Sequence, residues 1–121
     1  IIKKYDEACD ELGVIHLHHY GEDFASSGHL YLTRIPGVSD EQRREIITKL
    51  AERGVNTNVH YKPLPMMTAY KNMGWDIKDF PNAYAYYENL ITLPLHTKLS
   101  DEDVEYVTEN FKAVVSAYTS K

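Results

Sequence analysis

"HLYLTRIPGVSDEQRREIITKLAERG", residues 29–54, sets the fold class. Its first seven residues alternate Leu30, Leu32 and Arg34 with Tyr31, Thr33 and Ile35, the period of a strand. Large residues fall on both faces, so the strand is expected to be at least partly covered on both sides. The period then changes. Ser39 stands three residues before Gln42, a capping-box spacing. Asp40 and Glu41 fall where a helix dipole favours negative charge. Ile46, Ile47 and Leu50 make an apolar stripe, and Gly54 is placed to end the helix. One strand feeding one capped amphipathic helix argues for a mixed α and β domain.

The same reading extends in both directions. Ile1, Ile2, Tyr5, Cys9 and Leu12 recur at helical spacing, with Gly13 as the stop. "VIHLHHY" (14–20) reads as a strand, with Val14, His16 and His18 on one face and Ile15, Leu17 and His19 on the other. Downstream, "VNTNVHY" (55–61) reads as a strand that Pro63 and Pro65 shut down. "MMTAYKNMG" (66–74) is a short helix and "WDIKD" (75–79) a loop. "FPNAYAYYENL" (80–90) is a helix opened by Pro81. "ITLPLH" (91–96) is a short strand stopped or held at an edge by Pro94, and Ser100 caps a last helix with Val104, Val107, Phe111, Val114, Val115 and Tyr118 inward. The expected fold is α+β: a small, mostly antiparallel sheet covered by helices in a single domain, 1–121.

Composition bounds the function. The 121 residues carry 13 basic and 18 acidic side chains, a net charge of −5, which disfavours nucleic acid as a partner. Apolar runs fall short of the ~18–20 residues of a membrane span. The single cysteine, Cys9, excludes an internal disulfide framework, reads as a small apolar residue on a helix face and fits a reducing cytoplasm. His16, His18 and His19 invite a metal reading, but the ligand set of three or four that zinc needs is not there, so no metal site is assigned. No P-loop, G-x-G-x-x-G, G-x-S-x-G or H-E-x-x-H occurs. Tyr84, Tyr86 and Tyr87 cannot all face the core of one short helix, and fit packing with a wet hydroxyl or an interface. The residues alone leave His60 and Tyr61 with two readings, a strand end packed on a loop or a wall of a binding site.

An ordered set of motifs goes further. "GVNTNVHYKPLPMMTAYKNMG", "FPNAYAYYENLITLPLH" and "LSDEDVEYVTENFKAVV", preceded by "HLYLTRI" and "IIKKYDEACDEL", resemble the C-terminal part of the DegT/DnrJ/EryC1/StrS aminotransferases. These are PLP-dependent enzymes of nucleotide-sugar metabolism, and the resemblance covers essentially the whole chain. It implies the C-terminal small domain of a fold-type I PLP enzyme, with residues 1–13 part of the interdomain helix. The missing partner is then an N-terminal domain carrying PLP and the lysine that holds it. The parent would be a cytoplasmic homodimer that moves an amino group, usually from glutamate, onto a nucleotide-linked keto sugar for cell-surface polysaccharide or amino-sugar biosynthesis. No lysine here stands in the family's PLP-lysine context, so the resemblance assigns no catalytic residue to this chain and expects no PLP on it. It places His60, Tyr61 and Lys62 at the active-site mouth, Lys62 within reach of a nucleotide-sugar phosphate. Pro63-Leu64-Pro65 departs from a Pro-Leu-His pattern common in relatives, which leaves the identity of the sugar open. A PLP- or PMP-dependent sugar dehydratase and a free-standing ligand-binding module remain alternatives. Met66, Met67, Tyr70 and Trp75 are expected to form surface that meets the large domain, with self-association or partial disorder around residues 62–80 in its absence.

Overall fold

A computed structural model describes residues 1–119. In chain order it holds α1 (Ile2–Leu12), β1 (Ile15–His16), β2 (Tyr31–Arg34), α2 (Asp40–Glu52), α3 (Thr68–Asn72), α4 (Pro81–Tyr87), β3 (Leu90–Leu93) and α5 (Asp101–Val115). Single 3-10 turns occupy Leu64–Met66 and Ile77–Asp79. The three strands form one antiparallel sheet in the order β1-β2-β3. The α+β expectation holds. No described helix is long and apolar enough to cross a membrane.

Register explains which face does what. Tyr31 pairs with Leu93 and Thr33 with Ile91, and these four side chains, all buried, point to the same side. There they meet Tyr5, Cys9 and Leu12 of α1, Ile46 and Leu50 of α2, and Val104, Val107, Phe111, Val114 and Val115 of α5. Leu32 and Thr92, opposite each other, share the other side. Burial of this core outweighs local signals: Leu50→Ala would cost about 2–5 kcal/mol, against about 1 kcal/mol for loss of a helix cap.

The caps themselves form as read. Ser39 and Gln42 close a reciprocal box at α2, and Ser100 and Asp103 do so at α5. The Ser100 backbone N–H and hydroxyl both donate to Asp103, which holds its carboxyl below the usual carboxylate range. Gly13 ends α1 with φ 68°, a left-handed conformation that a side chain disfavours.

Every expected strand is shorter than read, residues 14–20 and 55–61 most of all, and Leu90, expected at the end of a helix, opens β3. Over residues 55–61 only Asn58 pairs with the sheet, exchanging two backbone bonds with Thr92 (3.1 and 2.7 Å). The Asn58 side chain takes the Val59 N–H at 2.7 Å, a local bond that competes with a ladder, and Pro63 and Pro65 offer no N–H. Residues 14–20 leave the ladder after His16. His19 turns inward, its ring stacked on Tyr31 at 5.5 Å and its Nδ1 2.6 Å from the Ser26 hydroxyl. His16 lies between two carboxylates of α1, 3.1 Å from Asp6 and 3.2 Å from Asp10. These histidines therefore dock α1 and the 17–30 connection. No group of three or more His, Cys, Asp or Glu among the described residues could hold a metal.

An arginine pair was not foreseen. Arg43 is buried on the stripe of Ile46 and Leu50, stacked over Tyr87 at 4.3 Å, paired with Asp40 and donating to the Tyr87 carbonyl at 3.1 Å. Arg34 stacks over Tyr86 at 4.4 Å and donates to the Ala85 carbonyl at 3.0 Å and to Asn89 Oδ1 at 3.1 Å. Cations thus satisfy the free carbonyls at the end of α4, a helix too short to stand alone. Of its tyrosines, Tyr87 is buried, Tyr84 half-buried and Tyr86 exposed.

Burial also sets alkaline stability. It pushes the Cys9 thiol up to about 12, with Asp6 and Asp10 adding to the rise and the Tyr31 hydroxyl opposing it. Burial likewise lifts Tyr5 to about 12 and raises Tyr31. Folded values above ordinary ones give stability that is complete below pH ~9 and lost as pH climbs toward 12. Urea midpoints should fall over that window, and fall less steeply in Cys9→Ala; parallel curves for the two proteins would refute the assignment to the thiol.

Candidate functional site

The site grows from β3. Ile91 and Leu93 are fixed in the core, so Thr92 is fixed on the opposite face. Its backbone holds Asn58, and its hydroxyl lies 2.9 Å from Nδ1 of His60. One residue therefore positions the whole segment 58–60. The Tyr61 ring stands edge-on to the His60 ring, centroids 4.7 Å apart, across a cis peptide bond. His60 is half-buried, Tyr61 is 70% exposed, and Lys62 is exposed beyond them.

Beside His60 lies a groove of ≈ 270 Å³. His29, Asn56, Thr57, Asn58, His60 and Thr92 supply its polar groups and Leu30, Pro94 and Leu95 its aliphatic ones, while Leu93, whose side chain lies in the core, borders it. The Thr57 hydroxyl is buried there without a hydrogen-bond partner, an uncommon condition for a buried polar group. Imidazole, amide and hydroxyl groups together offer both donors and acceptors, the chemistry that recognises a ligand rich in hydroxyls.

The fold thus brings His60 and Tyr61 together, while Lys62 and Tyr61 do not line this groove. Sequence reading missed His29, Asn58 and Thr92. His29 adjoins the start of β2 and Thr92 lies in β3, so only the sheet register reveals them as neighbours of His60. The eight described lysines, those up to Lys112, all lie at the surface, with Lys112 alone half-buried and paired to Glu11 at 2.5 Å.

Comparison with known proteins decides the family. Residues 1–112 match the model of the DegT/DnrJ/EryC1/StrS aminotransferase family. The chain belongs to that family. It is 36% identical over 100 residues to the spore coat polysaccharide biosynthesis protein SpsC of Bacillus subtilis, covering 78% of this chain and 25% of that protein. It is 28% identical over 90 residues to the UDP-4-amino-4,6-dideoxy-N-acetyl-beta-L-altrosamine transaminase of Campylobacter jejuni, covering 74% and 24%. Among solved structures it superposes on the PLP-form of Spr1654 from Streptococcus pneumoniae with a TM-score of 0.91 and 51% identity, over 99% of this chain and 30% of that one. The chain therefore spans 24–30% of the length of these family members.

Thr92→Val removes the hydroxyl and keeps the shape of the side chain. It should cost about 1 kcal/mol of stability and shift the His60 ring resonances in NMR, while the Asn58 and Thr92 amides stay protected. Unchanged His60 resonances would contradict the positioning role.

Proposed function

We propose that these residues form the C-terminal domain of a PLP-dependent aminotransferase acting on a nucleotide-linked keto sugar, in cell-surface polysaccharide or amino-sugar biosynthesis. The observation that carries this reading is the family match along residues 1–112, joined to relatives named as nucleotide-sugar transaminases. The parent is a cytoplasmic homodimer with glutamate as amino donor.

In this reading the domain binds and orients. His60 and Tyr61 form part of the pocket wall, and the polar groove beside them meets sugar hydroxyls. Lys62 offers an ammonium to a phosphate, a charge-assisted contact. In this reading the PLP-bearing lysine lies on the part of the enzyme that precedes this domain, because no lysine here stands in the family's PLP-lysine context. When bound there, PLP supplies the electron sink for amino transfer.

The complete gene product, given PLP, glutamate and UDP- or dTDP-linked keto sugars, should yield an amino sugar detectable by mass spectrometry. Lys62→Ala should raise KM for the sugar nucleotide about tenfold with kcat nearly unchanged, the effect of one lost charge-assisted bond. The 121-residue chain mixed with PLP should retain no cofactor absorbance after desalting. Absence of an amino product from every sugar nucleotide, or retention of PLP by the 121 residues alone, would overturn the reading.

A further inference from the structure

None of the residues that line the groove beside His60 is Lys, Arg, Asp or Glu. Its polar groups are nonetheless largely unspent. Asn58 gives its Oδ1 to the Val59 N–H at 2.7 Å, so what it still offers is the donor pair of its amide nitrogen. His60 meets Thr92 through Nδ1 at 2.9 Å and keeps Nε2. The Thr57 hydroxyl holds no hydrogen bond where it stands, so a χ1 rotation toward a ligand breaks none. Beside these groups lie the half-buried side chains of Leu30, Pro94 and Leu95. The groove thus pairs uncharged donors with a small aliphatic wall.

We propose that this groove selects nucleotide sugars that carry an acetamido group, with Asn58 as the specificity-determining residue. The inference rests on the proposed function and names the substrate class of the same pocket. Charge argues against an ionic occupant: a phosphate or carboxylate here would lose water and meet neither Lys nor Arg. A hydroxyl would use the donors and leave the aliphatic wall uncovered. An acetamido group uses both. Its carbonyl oxygen accepts from the Asn58 amide, and its methyl lies against Leu30, Pro94 and Leu95, where it displaces water from apolar surface. Its N–H is taken by the Thr57 hydroxyl, a group that accepts as well as donates. The order along the chain fits the sugar. The carbon that bears a 2-acetamido group is bonded to the carbon that bears the diphosphate, and Lys62, proposed to meet a phosphate, follows Asn58 by four residues.

Calorimetry on the complete gene product, loaded with PLP, tests this with UDP-N-acetylglucosamine and UDP-glucose. The two ligands share nucleotide, phosphates and hexose ring and differ only in the acetamido group at the second carbon. Kd should be at least about tenfold lower for the acetamido ligand, the discrimination that one small group gains in a fitted pocket. Asn58→Asp keeps Oδ1 for the Val59 N–H and turns the donor into a carboxylate oxygen. It should bring the two Kd values to within about threefold of each other, as the loss of one hydrogen bond does. Lys62→Ala should weaken both ligands and leave their ratio as it was. Each ratio is internal to one protein, so a loss of folded protein does not imitate the effect. Equal Kd values in the native protein, no binding of either ligand, or an unchanged ratio in Asn58→Asp would overturn the inference. Equal binding alongside amino transfer refutes the selectivity alone; a clear acetamido preference without amino transfer refutes the proposed function alone.

Discussion

Thr92 is the residue through which the core reaches the site. Its neighbours Ile91 and Leu93 are locked among α1, α2 and α5, so its own position carries their rigidity. From there its backbone holds Asn58 and its hydroxyl faces His60. The ranking of energies makes this arrangement sensible. Core burial at several kcal/mol per side chain fixes β3, and a hydrogen bond of about 1 kcal/mol then suffices to aim one imidazole. A site built on a strand in this way inherits precision that a loop alone would lack.

The other end of the segment that starts at Asn58 is held by different means. Arg34 and Arg43 reach from β2 and α2 to the last carbonyls of α4, and each guanidinium lies over a tyrosine ring of that helix. Arg43 is buried, and its guanidinium is neutralised by Asp40, which avoids the large penalty of an unpaired buried charge. Between these two anchors the chain makes only short helices and 3-10 turns, too small to bury their own apolar residues. That is the physical reason Leu64, Met73 and Trp75 stay exposed and the polar groove stays next to β3.

Much of this was legible in the sequence. Helix limits followed from Ser39, Gln42, Gly13 and Ser100, because caps act within one turn. The core stripes of α2 and α5 followed from spacing. Residues 55–61 misled, because alternation of size cannot reveal that Asn58 will bond its own neighbour. His19 misled as well: a two-residue strand has no period to keep, so packing on Tyr31 chose its direction. Arg43 carried no signal of its own in the sequence, because Tyr87, which lies under it, is 44 positions away. His60 and Tyr61 were singled out by resemblance, whereas His29 and Thr92 needed the sheet register.

The central claim is that the segment from His60 to Lys62 walls a sugar-nucleotide pocket. A crystal structure of the complete gene product with PLP and a nucleotide-linked amino sugar tests it most directly. The account predicts the ligand in the groove beside Thr92, with a polar atom of His60, Tyr61 or Lys62 at a hydrogen-bond distance of about 2.7–3.2 Å. A ligand bound elsewhere, with all three side chains facing bulk water, would contradict it.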